Sequence, residues 1–370
     1  MPIFSLEQLP PVDVAGRLPR LVERLDEAGC DALVVTKLAN VRYLTGFTGS
    51  AGMLIVTGSG SLFLTDRRYR DQAGEQLSAS GVEIDLTVHT LPGQFEALAT
   101  RLRGIGRVGL EADAATWGLQ LRIAELLERS EIVPTRRLVE GLRVVKDEGE
   151  RARIEAACDV ADVAIAQIKP RLTEGISESE FAAELEAEMR HRGASGPSFE
   201  TIVASGPNGA KPHARPTDRV IAPGELVVVD FGATVDGYHS DMTRTLCVGE
   251  PPDELAELVD AVFVAQRAGL RAVAEGATGG DVDAACRDSL TDAGYGEVFL
   301  HSTGHGVGLE IHEAPAIAQG STDILVAGSI VTVEPGAYLA GRGGVRIEDT
   351  VLVGTSGGRS LTKSTKDYTL

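Results

Sequence analysis

Short apolar runs and longer stretches of helical period alternate along the first 140 residues. The apolar runs have a length typical of buried strands and lie at Ala32–Thr36, Met53–Thr57, Ser61–Thr65, Val82–Val88, Arg107–Glu111 and near Ile132. The stretches of helical period lie at Val14–Ala28, Arg68–Ser78, Gly93–Arg103 and Ala115–Glu128. Between them, Leu38–Gly52 mixes aromatic residues with a glycine-rich loop. Strands interleaved with helices predict an α/β domain that ends around Val139.

The pattern changes at about residue 140, where a strongly charged helix is predicted from Gly141 to Ile168. A second helix, Ser177–Arg192, begins with a capping box in which Ser177 caps and Glu180 reaches back. Two further helices are predicted at Pro252–Ala274 and Gly280–Ala293, and strands fill most of the remainder. Helices grouped between antiparallel strands indicate an α+β domain. The predicted domains are therefore residues 1–140 and 141–370.

Two aspartates lie inside a predicted β-hairpin formed by Leu226–Phe231 and Tyr238–Val248, with Asp236-Gly237 as its turn. Pairing about that turn places Asp230 opposite Thr243, with Asp241 two positions along on the same face. Two neighbouring carboxylates in an apolar hairpin require a cationic partner, because buried unpaired charge costs several kcal/mol, roughly. Two interpretations remain open at this point: an aspartate pair at a solvated strand edge, or half of a metal site.

The last predicted sheet, Ile330–Val353, contributes two more buried acids, Glu334 and Glu348. They face each other if the loop around Gly341 holds an odd number of residues. Arg346 shares a strand face with Glu348, and we expect it to be either an ion-pair partner or a substrate contact.

Four of the seven histidines fall within about one hundred residues around the acidic hairpin: His213, His301, His305 and His312. His305 lies between Gly304 and Gly306, so that backbone or ligand can approach it closely. A neutral imidazole is a common ligand of divalent metals. His305 therefore joins Asp230, Asp241, Glu334 and Glu348 in a candidate ligand set of five.

The composition is that of an ordinary globular protein, with 43% hydrophobic and 24% charged residues among 370. A net charge of −19 argues against nucleic acid or an anionic membrane as a partner. The four cysteines are far apart and are expected to be reduced. Neither a secretory leader nor a run near the roughly 18 apolar residues of a membrane span is evident, so a cytoplasmic location is expected.

Five pieces of the second half resemble the metal-dependent aminopeptidases and prolidases that share the pita-bread fold. In chain order they are PHARPTD, VVVDFGATVDGYHSDMTRT, HSTGHGVGLEIHE, TVEPGAYL and GGVRIEDT. A softer resemblance, through NVRYLTGF and DRRY, extends to the first half. The fold that this resemblance implies is α+β, with a pita-bread catalytic domain preceded by a smaller α/β domain of the creatinase N-terminal type.

The resemblance also implies a dinuclear metal centre and a role for each of its residues. Asp230 would bind one metal, Asp241 and Glu348 would bridge, and His305 and Glu334 would bind the other. Glu334 would also handle the proton of the attacking water, and His213 and His312 would stabilise the tetrahedral intermediate and the leaving nitrogen. His301 and Arg346 would position substrate, with Tyr338 as a weaker candidate for that role.

The activity implied is that of an Xaa-Pro aminopeptidase, which acts on peptides with proline in the second position. An Xaa-Pro dipeptidase (prolidase) has the same chemistry and remains the alternative. A non-catalytic pita-bread binding protein and a creatinase-like, metal-free hydrolase are less favoured, because all five ligand positions are filled. Two divalent ions are expected, Mn²⁺ foremost, although Co²⁺, Zn²⁺ and Fe²⁺ suit such ligands. A homodimer is expected from the same resemblance.

Overall fold

The computed structural model describes all 370 residues and divides into two compact units. The smaller unit is Val12–Arg143, and the larger unit combines Met1–Pro11 with Val144–Leu370.

The smaller unit is built on one six-stranded mixed sheet in the order β4-β3-β2-β1-β5-β6. Its strands are β1 Ala32–Val35, β2 Met53–Thr57, β3 Gly60–Thr65, β4 Ile84–Val88, β5 Arg107–Glu111 and β6 Glu131–Thr135. The hairpin β2–β3 is antiparallel, as is β1–β2, whereas β3–β4, β1–β5 and β5–β6 are parallel. Leu98, Leu102 and Ile123 from the covering helices pack on this sheet, so the predicted α/β organisation is confirmed.

The helices of the smaller unit depart from the predicted pattern in two places. They are α1 Arg17–Val22, α2 Leu38–Thr45, α3 Arg70–Ser80, α4 Leu91–Arg101, α5 Trp117–Leu126 and α6 Glu140–Arg143. Helix α2 was not predicted within Leu38–Gly52, and its Val41 and Leu44 are buried on one face. The helix predicted at Val14–Ala28 is shorter than expected and gives way to turns after Val22.

The larger unit has four helices: α7 Glu148–Ile168, α8 Glu178–His191, α9 Asp253–Ala272 and α10 Gly279–Asp292. The single helix predicted over Gly141–Ile168 is wrong, because the chain is not helical between Arg143 and Glu148. Asp147 explains the break: its side chain accepts a hydrogen bond from the Glu150 amide at 2.8 Å, which begins a new helix. The capping box predicted at Ser177 is confirmed.

The strands of the larger unit form four small sheets. They are β7 Gly196–Pro197, β8 Ile202–Ser205, β9 Leu226–Phe231, β10 Ala233–Val235, β11 Tyr238–His239, β12 Met242–Cys247, β13 Gly304–Gly306, β14 Glu313–Ile317, β15 Ile330–Val333, β16 Gly336–Leu339, β17 Gly343–Arg346, β18 Asp349–Gly354 and β19 Gly357–Ser360. The four sheets have the orders β11-β10-β7, β12-β9-β8, β14-β13-β15-β18-β19 and β16-β17.

The register predicted for the acidic hairpin is confirmed. Asp236 and Gly237 have φ values of 45° and 70°, as a tight two-residue hairpin turn requires, and Asp230 pairs with Thr243. The hairpin is interrupted, however, and its two ends belong to different sheets. The prediction that Asp241 lies inside a strand is wrong, because Asp241 lies between β11 and β12. Its carboxylate therefore leaves the chain at a break in the ladder.

The register of the two glutamates also follows the prediction. Val333 pairs with Asp349, and Gly336 pairs with Arg346. Three residues, 340–342, separate β16 from β17, which is the odd loop that the prediction required. Glu334 and Glu348 therefore lie opposite each other, each at the junction of two strands.

Two hydrophobic cores support the strands of the larger unit. Phe181 and Leu185 of α8 pack with Val229 and Phe231 of β9 in the first core. The second core joins α9 and α10 to β15–β18 through residues such as Val262 and Val333. Each core thus holds one group of ligand-bearing strands. No helix of the protein combines the length and apolar character needed to cross a membrane.

Candidate metal centre

Strand ends of the larger unit bring all five predicted ligands together. Asp230 is near the end of β9, Asp241 precedes β12, His305 is in β13, Glu334 follows β15 and Glu348 precedes β18. Such positions suit functional side chains, because the ladder fixes the backbone while the strand end leaves room for a ligand.

Three of the carboxylates form a tight group. One oxygen from each of Asp230, Asp241 and Glu348 lies within 4.8 Å of the other two. Asp230 Oδ1 and Glu348 Oε1 are buried and have no hydrogen-bond partner. Buried polar atoms are normally paired, so two orphaned oxygens in one acidic group indicate that a cation belongs there.

His305 completes this group with a ring nitrogen available for coordination. Its Nδ1 lies 3.0 Å from the carbonyl oxygen of Gly306, and only a protonated nitrogen can donate to that oxygen. Nε2 therefore carries a lone pair, and it faces Asp241 Oδ2 at 3.5 Å and Glu334 Oε1 at 3.4 Å. A lone pair directed at two carboxylates is the arrangement expected around a metal ion.

The glycines beside His305 allow the close approach that the sequence predicted. A Cβ on Gly304 would lie 2.1 Å from the Thr332 carbonyl oxygen, and one on Gly306 would lie 2.1 Å from that of Ala314. No side chain fits at either position, so the flanking strands close directly on the backbone of β13.

Burial and mutual repulsion shift the pKa values of Asp241, Glu334 and Glu348 upward. Burial is the largest cause for Asp241 and Glu348, and the neighbouring carboxylates raise both pKa values further. Burial raises the pKa of Glu334 to about 8, with an added contribution from Asp230 and an opposing one from Arg346. Burial also lowers the pKa of His305 to about 4, which keeps its imidazole neutral. Because the raised pKa values favour the protonated acids, a divalent cation that binds here would compete with protons.

The donor set fits hard divalent cations. Four carboxylates and one neutral imidazole suit Mn²⁺, Co²⁺, Fe²⁺ or Zn²⁺ better than they suit soft metals, which prefer thiolates. All four cysteines are buried as free thiols, and none is part of this group.

A directed chain of hydrogen bonds leads away from Asp230. Arg346, which is 3% exposed, donates to Asp230 Oδ2 and, at 2.7 Å, to the Tyr338 hydroxyl. That hydroxyl lies 2.8 Å from His301 Nε2, and His301 Nδ1 lies 2.8 Å from the Ser302 carbonyl oxygen. Since Nδ1 must donate to the carbonyl, Nε2 accepts from Tyr338. Burial and the charge of Arg346 lower the pKa of His301 to about 4, so its imidazole is neutral and can accept at Nε2.

A cavity of about 650 Å³ opens over this group. Asp230, Asp241, His305 and Glu334 lie along its lining, while Glu348, 1% exposed, lies beneath them. The remaining predicted site residues on the lining are His213, His301, His312 and Arg346.

His312 lies close to the ligand group, with its ring centroid 4.3 Å from that of His305 in an edge-on arrangement. Burial lowers the pKa of His312, although the nearby Asp230 carboxylate opposes this shift. Eight predicted residues thus share one cavity, and Tyr338 contacts two of them from behind.

Two threonines at the centre were not predicted. Thr243 Oγ1 donates to Glu348 Oε2 at 2.8 Å and accepts from Arg346 Nε at 3.1 Å. Thr332 Oγ1 donates to Glu334 Oε1 at 3.2 Å and accepts from the His305 amide at 3.1 Å. The available signal was the hairpin register, which placed Thr243 opposite Asp230.

Comparison with known proteins assigns both parts of the chain. Residues 152–355 match metallopeptidase family M24, and residues 17–145 match the creatinase/prolidase N-terminal domain. Over 355 residues the chain is 41% identical to the uncharacterized peptidase YqhT of Bacillus subtilis (strain 168), covering 95% of this chain and 99% of the relative.

Two solved structures extend the likeness to three dimensions. An Xaa-Pro dipeptidase from Bacillus anthracis has a TM-score of 0.90 at 42% identity, covering 96% of this chain and 99% of that one. An X-Pro aminopeptidase from Thermotoga maritima has a TM-score of 0.85 at 34% identity, covering 96% of this chain and 100% of that one. The resemblance inferred from the motifs is confirmed. The chain belongs to metallopeptidase family M24, with a creatinase-like N-terminal domain followed by a pita-bread catalytic domain.

Proposed function

We propose that this protein is a dinuclear Xaa-Pro aminopeptidase, which hydrolyses the bond between an N-terminal residue and a following proline. The observation that carries the proposal is the acidic group beneath the cavity, with its two orphaned carboxylate oxygens and the free Nε2 of His305. The X–Pro bond is a tertiary amide whose proline has no N–H and a fixed φ, so a dedicated site is required.

Five residues are proposed as metal ligands: Asp230, Asp241, His305, Glu334 and Glu348. The chemistry that two divalent ions supply is Lewis-acid polarisation of the scissile carbonyl and a lower pKa for water. Because Thr243 holds Oε2 of Glu348, its Oε1, which has no partner, remains available to a cation. Thr332 holds Oε1 of Glu334, the oxygen that faces His305 Nε2 at 3.4 Å.

The other site residues are proposed to act on the peptide. Glu334 is proposed to take the proton of the attacking water. His213 and His312, which both lie on the cavity lining, are proposed to stabilise the tetrahedral intermediate and the leaving nitrogen. Arg346 and His301, locked by Tyr338, keep the wall of the cavity rigid where substrate is positioned.

The cavity wall favours an aminopeptidase over a dipeptidase. A dipeptide ends in a free carboxylate one residue beyond the scissile bond, and its capture requires an unengaged cation. Of the two arginines on the lining, Arg346 is bound to Asp230 and Tyr338, and Arg215 pairs with Glu200 at 3.1 Å. Elsewhere the lining includes small apolar residues such as Ala316. A longer peptide, without a carboxylate at that depth, fits this wall.

A dipeptidase remains the second candidate, because the Arg215–Glu200 pair on the cavity lining is exposed. Glu200 and Arg215 have 64% and 79% of their side-chain surface exposed. An exposed ion pair is worth only about 0–1 kcal/mol, so Arg215 could exchange Glu200 for the carboxylate of a dipeptide. The likeness to the Bacillus anthracis Xaa-Pro dipeptidase also supports this candidate.

Three further features belong to the proposal: Mn²⁺ as the metal in the cell, a homodimer, and a cytoplasmic location. The oxygen-rich donor set supports Mn²⁺, with Co²⁺, Zn²⁺ and Fe²⁺ as competitors. Light scattering at micromolar concentration tests the homodimer, and a mass near 38.9 kDa, that of one chain, would refute it.

Turnover of Ala-Pro-Ala and Ala-Pro by chelator-treated protein, with and without added Mn²⁺, tests the function. We expect Mn²⁺-dependent cleavage of the tripeptide and little cleavage of the dipeptide. The reverse preference would make the protein a dipeptidase. Absence of cleavage of both peptides with Mn²⁺, Co²⁺, Zn²⁺ and Fe²⁺ would reject the proposed peptidase activity and favour a non-catalytic binding protein.

A further inference from the structure

A second polar cluster lies directly behind the proposed metal centre, around Asp349, which is 0% exposed and follows Glu348 in the chain. Asp349 Oδ1 accepts from Arg244 Nη2 at 3.0 Å and from Thr362 Oγ1 at 2.9 Å. Its Oδ2 accepts from Gln266 Nε2 at 3.0 Å and forms an ion pair with Lys366 Nζ at 2.6 Å. Neither oxygen is left for a metal, so the role of Asp349 differs from that of its neighbour.

Arg244 connects this cluster to the strands that hold the ligands. It is 2% exposed, and its Nη1 donates to the carbonyl oxygens of Thr243, at 3.0 Å, and of Glu348. Its Nη2 and Nε donate to the Ser364 carbonyl oxygen at 2.9 and 3.2 Å. One guanidinium thereby fixes the backbone of Thr243 and of Glu348, which belong to different parts of the fold.

The two backbones meet at a seam between two sheets, since β12 lies in one sheet and β18 in another. Across this seam the Glu348 amide donates to the Thr243 carbonyl oxygen at 3.1 Å, and Thr243 Oγ1 donates to Glu348 Oε2. The second oxygen of Glu348 has no partner. The direction of this second oxygen is therefore set by the spacing of Thr243 and Glu348. Arg244 fixes that spacing through its hydrogen bonds to both carbonyl oxygens, and we call this arrangement the clamp.

The outer half of the clamp is the 361–370 segment. Lys366 of this segment reaches Asp349 with 23% of its side-chain surface exposed. The segment is anchored independently of the centre, because the Ser364 amide and hydroxyl both donate to Asp162 Oδ1 at 2.7 Å. At its end the Leu370 amide donates to the Cys247 carbonyl oxygen at 2.9 Å, on the edge of β12. The 361–370 segment thus connects helix α7 to the seam between the two sheets.

We propose that Lys366, acting through Asp349 and Arg244, is a positioning residue that holds the Glu348 carboxylate in the geometry that binds metal. This inference rests on the proposed metal-binding function. It adds that the cation of the 361–370 segment sets the affinity of the centre without contacting substrate or metal. Without Lys366, Oδ2 of Asp349 would keep only neutral donors, the Gln266 amide at 3.0 Å and the Ser360 hydroxyl at 3.5 Å. The carboxylate would then turn towards the charge of Arg244, which shifts the guanidinium and the two carbonyl oxygens that it holds.

The test compares Lys366→Met with Lys363→Met, a matched control in the same segment. Lys363 pairs with Asp159 at 2.6 Å, but the two side chains are 66% and 45% exposed, so its loss should change nothing. Titration calorimetry of chelator-treated protein with Mn²⁺ gives stoichiometry and affinity, and peptide kinetics give kcat and KM. We expect Lys366→Met to weaken one Mn²⁺ site about tenfold or more and to lower kcat with KM nearly unchanged. Lys366→Arg should restore most of the affinity.

The outcomes separate the two claims. Wild-type Mn²⁺ affinity and kcat in folded Lys366→Met would overturn the positioning role while leaving the function intact. Absence of Mn²⁺ binding by the wild-type protein would reject the proposed function itself. If circular dichroism shows that Lys366→Met does not fold, Lys366→Gln carries the test, because it removes the same charge beside Asp349 but keeps a polar side chain. A weakened Mn²⁺ site in Lys366→Gln supports the role, and unchanged binding overturns it.

Discussion

Replacement of Glu334 by glutamine should stabilise the metal-free protein above neutral pH, although it removes a proposed catalytic group. Burial, with the nearby charge of Asp230, raises the pKa of Glu334 from its usual 4.5 to about 8 in the folded protein. The unfolded chain therefore releases this proton near pH 4.5, while the folded protein keeps it until about pH 8. Because the folded state binds more protons in that interval, stability is lost as the pH rises through it.

The magnitude follows from the two pKa values. At about 1.36 kcal/mol for each pH unit between 4.5 and about 8, the loss has a ceiling of about 5 kcal/mol. Glu334 keeps 17% of its side-chain surface in contact with solvent, and its charge is shared with neighbouring acids, so we expect roughly half of that ceiling. Glutamine cannot ionise and can still accept the hydrogen bond from Thr332. The variant should therefore escape this loss.

Urea unfolding in the presence of a chelator, at about pH 5 and about pH 8.5, measures the effect. Far-UV circular dichroism is the appropriate probe, because the single tryptophan, Trp117, lies in the smaller unit and reports on that unit instead. We expect wild type and Glu334→Gln to be similar at the lower pH, and the variant to be more stable by roughly 2–3 kcal/mol at the higher pH. Excess Mn²⁺ should reverse that order by stabilising the wild type. A variant that is less stable at both pH values, or a wild type with no pH dependence, would refute the reasoning.

Three other substitutions test separate parts of the site. Asp241→Ala should abolish Mn²⁺ retention and peptidase activity in a folded protein, and turnover near wild type would reject the dinuclear mechanism. His312→Gln should lower kcat by about 10²–10³ with the metal content unchanged, as measured by steady-state kinetics and metal analysis; an unchanged kcat would remove His312 from catalysis. Lys146→Met should lower the free energy of unfolding in urea by about 3–5 kcal/mol, because Lys146 and Glu313 form an ion pair at 3.3 Å with side chains 1% and 5% exposed. Adding Glu313→Gln should recover part of this loss. A Lys146→Met variant as stable as wild type would contradict the role of the pair.

Local rules predicted the acidic group well because strand register has a period of two. A turn at Asp236-Gly237 and an odd loop around Gly341 were enough to align Asp230 with Thr243 and Glu334 with Glu348. The interruption beside Asp241 was not predictable, since it arises where one hairpin serves two sheets. Its carboxylate reaches the group from a gap in the ladder.

Long-range packing explains the elements that were missed. Helix α2 was not predicted from the sequence. Its Asn40 is 0% exposed and donates a hydrogen bond to Glu111 at 2.7 Å. That contact spans 71 positions of the chain and is invisible to local patterns. The cluster around Asp349 is similar, because Lys366 and Thr362 reach it from a segment without regular secondary structure.

Anomalous diffraction near the manganese absorption edge, from crystals grown with Mn²⁺, tests the central claim most directly. We expect two anomalous peaks roughly 3.5–4 Å apart beneath the cavity, as in other two-metal hydrolases. One peak should lie beside Asp230, the other beside His305 and Glu334, with Asp241 and Glu348 between them. A single peak, peaks away from these residues, or no peak at saturating Mn²⁺ would contradict the dinuclear centre.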